Sequence, residues 1–435
     1  MPIPTWRLAV VVAVAAVVIA ALPMDAALAF VVVDGLLLVA AIVDWVLATS
    51  PARIVIERDL PGVVALDAGA TLTWRVRNET GRTQTVALAD ELAPSLGAGS
   101  RRARVRVPSH GAVTATTTLR PSRRGLFQPA EVVVRVDGPL GLVARQRRRQ
   151  LPGELRVYPT FRSKKEAELR IDRGRILEIG LRSAQGRGGG TEFEQLREYS
   201  PDDEFRRMDW AATARSGKAI VRTYRAERNQ TVLALLDNGR IMAGRVGGVP
   251  RVEHAMDAVM MLTAVATRLG DLAGLVAFDR RIRAIVPPGH GGGQLGLVTE
   301  AMYRLEPELA ESDYRGAFTQ TLARFRKRSL LVVLTELAPE AVNETLIPAL
   351  PLVLRHHLVL VGAVTDPAVV RWARDTPTEA GTSYRKAAAI ASLEERHRLV
   401  TRLRGLGATV VDAPPGALAP RLADAYLRVK ATGRL

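Results

Sequence analysis

Residues Gly190 to Met242 read GTEFEQLREYSPDDEFRRMDWAATARSGKAIVRTYRAERNQTVLALLDNGRIM. Acidic and basic side chains alternate closely through Asp209 and Trp210. The chain then enters, with no clear turn cluster between, the apolar run Thr231 to Asp237, which ends on a polar turn. A compact apolar run of this kind is the pattern of a central strand in a parallel sheet, buried on both faces. The charged half is too polar for a core and reads either as a solvated face or as a recognition block in front of that strand.

Downstream, helical periods and apolar strands alternate. Arg251 to Leu269 reads as a helix, Leu272 to Phe278 as a strand and Arg281 to Val286 as an edge strand. Gly292 to Leu305 and Tyr314 to Phe325 read as helices, and Ser329 to Leu334 and His357 to Val364 as strands separated by a helix over Pro339 to Arg355. A helix within Glu379 to Leu403, a strand Ala408 to Val411 and a helix Ala417 to Val429 complete the series. This alternation predicts an α/β doubly wound, Rossmann-like domain over 231–435, with residues 161–230 as linker and signature block.

Upstream, between 51 and 160, apolar and polar residues alternate with period two. Leu72, Trp74 and Val76 point one way and Thr71, Thr73, Arg75 and Arg77 the other. Similar short runs, separated by turn clusters such as Asn78-Glu79-Thr80-Gly81 and Asp137-Gly138-Pro139, predict an all-β immunoglobulin-like sandwich. The basic run Arg145 to Arg149 suits either anionic lipid headgroups or a charged, solvated strand edge.

Residues 1–50 hold two apolar runs, Leu8 to Leu22 and Ala26 to Ala48, joined by Pro23-Met24-Asp25. A membrane-spanning helix needs roughly 20 apolar residues, so the two runs predict a transmembrane helical hairpin. Arg7, Arg53 and Arg58 flank it while the turn carries only Asp25, which predicts cytoplasmic ends and a multi-pass protein of the inner membrane. Asp44 is expected at the interface beside Trp45, and Asp34 against the first helix or a partner.

The 435 residues carry 61 Lys plus Arg against 44 Asp plus Glu, a net charge of +17. Such an excess favours anionic partners, but only 5% of residues are aromatic and no nucleic-acid motif accompanies the charge, so membrane lipid rather than nucleic acid is the expected partner. With no cysteine, disulfides and thiolate metal sites are excluded. Enzyme motifs fail one by one. Gly217-Lys218 is followed by Ala219 where a phosphate loop needs Ser or Thr. His290-Gly291-Gly292-Gly293 imitates an oxyanion loop, yet no G-x-S-x-G elbow occurs.

The block itself resembles the family-58 domain of unknown function, a bacterial group with the pattern G-x-E-F, R-E-Y, P-x-D-D, R, x-D-W, A-R and V-R-x-Y-x-x-E. Gly190, Glu192, Phe193, Arg197, Glu198, Tyr199, Pro201, Asp202, Asp203, Arg206, Asp209, Trp210, Arg215, Arg222, Tyr224 and Glu227 fit it. Asp237 likewise resembles the first residue of the D-x-S-x-S metal motif of von Willebrand factor type A domains. Gly239 and Ile241 replace the two hydroxyl residues, and Asp313 and Thr335-Glu336 are the nearest counterparts of the later ligands. The resemblance therefore implies a degenerate metal site of Asp237, Asp313 and Glu336, with no cofactor beyond weak magnesium.

Members of this family look like membrane-anchored partners of MoxR-type AAA+ ATPases. The expectation is a non-enzymatic adaptor that docks such an ATPase, or presents clients to it, together with other membrane-assembly proteins. Its protein-binding surface would be Arg197, Glu198, Tyr199, Asp202, Asp203, Arg206, Asp209, Trp210, Arg215, Arg222, Tyr224 and Glu227. A metal-dependent hydrolase at the same block, and an envelope adhesion receptor, remain as alternatives.

Overall fold

The structure is a computed structural model and describes residues 2–21, 26–185, 192–201, 203, 205, 208–225 and 230–432. The chain divides into two compact units, Met1–Tyr158 and Pro159–Leu435.

The first unit opens with β1 (Pro2–Pro4), α1 (Trp6–Ala21) and α2 (Ala26–Leu47). At about 1.5 Å per residue, the 22 residues of α2 rise about 33 Å and the 16 of α1 about 24 Å, against a hydrocarbon core of about 30 Å. Among the described residues one helix is long and apolar enough to cross a membrane, where the sequence suggests two. The turn residues 22–25 lie outside the described residues.

Ten strands follow: β2 (Ile54–Asp59), β3 (Val63–Ala65), β4 (Ala70–Asn78), β5 (Gln84–Asp90), β6 (Arg102–Val107), β7 (Ala112–Leu119), β8 (Gly125–Phe127), β9 (Glu131–Asp137), β10 (Val143–Gln150) and β11 (Leu155–Tyr158). They build a five-stranded sheet β1-β10-β9-β5-β6 and two three-stranded sheets, β2-β4-β7 and β3-β11-β8. Leu72, Trp74 and Val76 on β4 are fully buried and meet Val86 and Leu88 of β5 and Val132, Val134 and Val136 of β9 in one core. That is a β-sandwich, and its period-two alternation follows from having one face inward on each strand.

Two polar knots lie inside this unit. Arg58, read from sequence as a membrane-flanking charge, is instead buried with Asp90, whose other oxygen accepts the indole N–H of Trp74 at 2.6 Å. Asp44 does not stay at a wet interface. Its carboxylate is fully buried and accepts the backbone N–H groups of Leu140, Leu142 and Val143 at 2.7, 2.7 and 2.8 Å. The last turn of α2 is thereby fastened to the β9–β10 turn. There a Cβ on Gly138 would lie 2.4 Å from the Asp44 carboxylate. Arg145 adds a bond to the Trp45 carbonyl at 3.0 Å and stacks on its ring, and β1 pairs antiparallel with β10 through Ile3 and Ala144. The strand β10 is thus paired with β9 from Ala144 to Gln150 but with β1 only from Val143 to Arg145, so Arg147 and Arg148, which reach solvent, lie beyond the end of β1 on that edge.

The second unit begins with α3 (Lys164–Gln185), a 22-residue helix where the sequence suggests linker. Its first turns pack Ala167 and Ile171 into the main core. The hairpin β12 (Glu192–Glu198) and β13 (Ile220–Arg225) with α4 (Trp210–Ser216) between them forms the signature block. The sheet of this unit is formed by β14 (Thr231–Asp237), β17 (Leu272–Phe278), β18 (Ile282–Gly289), β19 (Leu330–Leu334), β20 (Leu358–Val364) and β21 (Thr409–Ala413); β15 (Arg245–Val246) and β16 (Val249–Pro250) form a small separate hairpin. The strand order is β18-β17-β14-β19-β20-β21, parallel throughout except for the edge strand β18.

Helices cover both faces. On one lie α5 (Arg251–Arg268), α6 (Gln294–Met302) and α12 (Leu418–Ala431), and on the other α7 (Tyr314–Arg324), α9 (Ile347–Leu354) and α11 (Ala380–Gly405). The helix expected over 339–355 is broken into α8 (Pro339–Ala341), a π turn (Val342–Leu346) and α9. Pro348 lacks the N–H that would continue the ladder, which accounts for the widened turn. A short helix α10 (Pro367–Arg374), capped by Asp366, lies where the sequence gives no helical element.

Candidate functional site

Two places carry the polar chemistry singled out from sequence, and they differ in kind. The first is the signature block. Asp209 caps α4, accepting from the N–H groups of Ala211 and Ala212 at 3.0 Å, while Arg222 of β13 donates to its second oxygen at 2.7 Å. The Arg222 bond, then the Ala212 N–H, holds the Asp209 carboxyl below the usual carboxylate range. Asp203 pairs with Arg197 of β12 at 2.5 Å and accepts the Ser200 N–H at 2.8 Å, and Glu198 pairs with Lys218 at 2.6 Å. Gly217 ends α4 in the left-handed region at φ 68°, which turns the chain back so that Tyr199 N–H reaches the Ala219 carbonyl at 2.8 Å.

The described carboxylates of the block are thus tied internally, and what it offers outward is aromatic. Trp210 is 61% exposed and Phe205 64%, with their rings edge to face at 5.6 Å. Arg215 is exposed on the last turn of α4. Tyr224 pairs across the hairpin with Phe193 through the backbone. Gly190, Asp202, Arg206 and Glu227 lie outside the described residues. Phe205 falls inside the block but matches none of its motif positions, so no sequence signal separates it from its charged neighbours.

The second place is the point where the strand order reverses, between β14 and β19, beyond whose carboxyl ends ligands bind in open α/β sheets. Asp237 ends β14 there and is fully buried. Its Oδ1 accepts the Gly239 N–H at 2.9 Å and the Ser312 hydroxyl at 2.5 Å; its Oδ2 accepts the Tyr314 and Thr335 hydroxyls at 2.7 and 2.6 Å. Burial and then the charge of Asp237 push the Tyr314 hydroxyl well above its ordinary value, so it remains a donor. The hydroxyl missing at position 239 is replaced in space: a Cβ on Gly239 would lie 2.1 Å from Ser312 Oγ. Ser312 and Tyr314 were not legible as partners of Asp237 from spacing, because they come from a loop and helix some 75 and 77 positions away. A cleft of about 90 Å3 lies alongside, lined by Ser312, Tyr314, Arg240 and Glu344 among others.

Asp313 and Glu336 do not join Asp237 in a ligand set. The Asp313 carboxylate caps α7 through the Gly316 N–H at 2.8 Å. Glu336 lies between Arg251, at 3.0 Å, and Arg396, at 2.5 Å. Arg396 also grips both oxygens of Asp412 at 2.7 and 2.8 Å, and these two carboxylates hold its guanidinium above its ordinary value against the opposing effect of burial. Asp237, Asp313 and Glu336 thus do not converge on one point: the first accepts four hydrogen bonds, and the two others are tied to a helix cap and to arginines. The arrangement pins strand ends together.

The model of the family described as "Protein of unknown function DUF58" matches residues 195–371, from the signature hairpin through the first five strands of the α/β sheet. No curated protein matches the chain. Among solved structures, the CARDB domain of PF1109 from Pyrococcus furiosus, by solution NMR, is 15% identical at a TM-score of 0.17, covering 24% of this chain and 94% of that one. Its crystal structure in complex with di-metal ions has the same identity and TM-score and is covered to 91%. Native alpha-2-macroglobulin from Escherichia coli, spanning domain MG7 to the C-terminus, is 19% identical at a TM-score of 0.20, covering 26% of this chain and 17% of that one. Likenesses at these TM-scores carry no argument about function.

Proposed function

We propose that the chain is a membrane-anchored, non-enzymatic adaptor that docks a MoxR-type AAA+ ATPase, or presents clients to it, on the cytoplasmic side of a bacterial membrane. On this reading α1 and α2 are a two-span anchor, the sandwich is immunoglobulin-like, and the second unit is a von Willebrand factor type A-like domain whose metal motif binds magnesium weakly or not at all. The observation that carries it is the Trp210–Phe205 pair. Two large aromatic rings stand in solvent and touch edge to face, Trp210 at the first position of a short helix whose start is fixed by Asp209 and Arg222, and Phe205 in the segment before it. Trp is a favoured anchor of protein interfaces, and a rigid platform lowers the ordering cost of binding.

The test is co-purification of the ATPase with Trp210→Ala and Phe205→Ala, alongside thermal unfolding. Truncating an interface anchor costs about 2 kcal/mol or more, on the order of a thirtyfold loss of affinity. With both rings exposed, the melting temperature should hardly move. Undiminished association in both variants overturns the docking surface.

A further inference from the structure

A groove of about 730 Å3 runs beside β21, the outermost strand of the six-stranded sheet, and shares no residue with the cleft beside Asp237. Arg173 of α3, Arg404 of α11 and Arg421 and Arg428 of α12 line it, together with Asp412 and Asp424. Both acids already have cations from outside the lining. Asp412 is held through two oxygens by Arg396, and Asp424 through two oxygens by Arg170, at 3.0 and 3.1 Å. The four lining arginines are exposed and, among the described residues, have no carboxylate partner. Four guanidinium groups around one concavity repel one another, and such a cleft concentrates counter-anions.

We propose that this groove is a binding site for a ligand carrying clustered phosphates. Its volume falls within the range of small-molecule sites, and the planar donor fork of Arg matches phosphate oxygens two at a time. The buried side chains of Val411 and Leu427 give the floor an apolar part, against which the non-phosphate portion of such a ligand packs. An added peptide strand fits less well, because Arg404 already donates to the Val410 carbonyl at 3.3 Å and lies across the strand.

The test uses the full chain in phosphatidylcholine nanodiscs at physiological ionic strength, titrated calorimetrically with inorganic tripolyphosphate. Saturable one-to-one binding is expected, weakened about tenfold by each of Arg404→Gln, Arg421→Gln and Arg428→Gln. The double variant Arg147→Gln, Arg148→Gln, exposed on the other unit, removes two charges where each groove variant removes one and should leave affinity unchanged. Groove-dependent binding of nanodiscs containing phosphatidylinositol bisphosphate, without binding of free tripolyphosphate, would keep the phosphate chemistry and identify a lipid headgroup as its source. Absence of saturation with either probe, equal losses in the control pair, or polyglutamate binding as tightly as tripolyphosphate would overturn the site.

Discussion

Restoring the seryl hydroxyl that the metal motif lacks should weaken the protein rather than equip it. In Gly239→Ser the new Cβ would lie 2.1 Å from Ser312 Oγ and 3.0 Å from the Ala310 carbonyl oxygen, so Ser312 must move. The backbone itself is no obstacle, since Gly239 is extended at φ −84°. Displacing Ser312 forfeits a hydroxyl bond to a buried carboxylate, about 1.5–3 kcal/mol, and overfilling the packed space adds about 1–3 kcal/mol. The sum, roughly 2.5–6 kcal/mol, corresponds to a fall in melting temperature on the order of 10 °C. Calorimetry of the full chain, with hydrogen exchange at the amides of β14, reads the effect where it arises. The double variant Gly239→Ser, Ser312→Gly should recover part of the loss, because the new hydroxyl then has room to reach Asp237. A single variant as stable as the parent, or one that gains micromolar magnesium affinity abolished by Asp237→Asn, would refute the account of Ser312 as the spatial substitute.

Three further outcomes are expected. Arg396→Met leaves Glu336 and Asp412 without their shared cation and should cost about 3 kcal/mol, read as a lower melting temperature; an unchanged midpoint would mean the network is incidental. His254 and His357 are both held below their ordinary value of 6.5, chiefly by burial and then by neighbouring positive charge. The folded chain therefore binds fewer protons than the unfolded one just below that pH. Stability should be complete above about pH 6.5 and decline as pH falls through it. Asp257 and Asp271, pushed up by burial, act in the opposite sense, so comparison with His254→Leu and His357→Leu isolates the histidines: the variants should flatten the decline between about pH 7 and 5.5. Reporter fusions after Ile56 and Leu435 should both be cytoplasmic, and periplasmic activity at either would remove an ATP-driven partner.

Legibility in the sequence followed the range of the forces. Thr231 to Asp237 is read with its final bounds because a strand buried on both faces must be apolar at every position. The sandwich strands show through their alternation, yet β1, β3 and β8, of three residues each, are too short to express a period. The helix α3 is hidden because its many charges leave only a narrow apolar stripe, of which Ala167 and Ile171 are buried members among the described residues. At the candidate site Asp209 and Arg222 were visible as polar residues in a patterned block, whereas their pairing depends on a hairpin register that no local spacing encodes. The partners of Asp237 and Asp44 were invisible for the same reason: a buried carboxylate is satisfied by whichever donors the tertiary fold brings, and for Asp44 these lie 96 to 99 positions along the chain.

The three amides that converge on Asp44 make the end of α2 a bracket and not a tether. A flexible linker would let a soluble domain sweep a hemisphere around its anchor and dilute any surface it presents. Here the sandwich inherits the tilt and rotation of the helix, so a torque applied to the sandwich reaches α2 without slack. The same junction orders assembly in time. Until the helix end arrives the N–H groups of Leu140, Leu142 and Val143 are left to water, so that corner of the sandwich closes only once the end of α2 is in place.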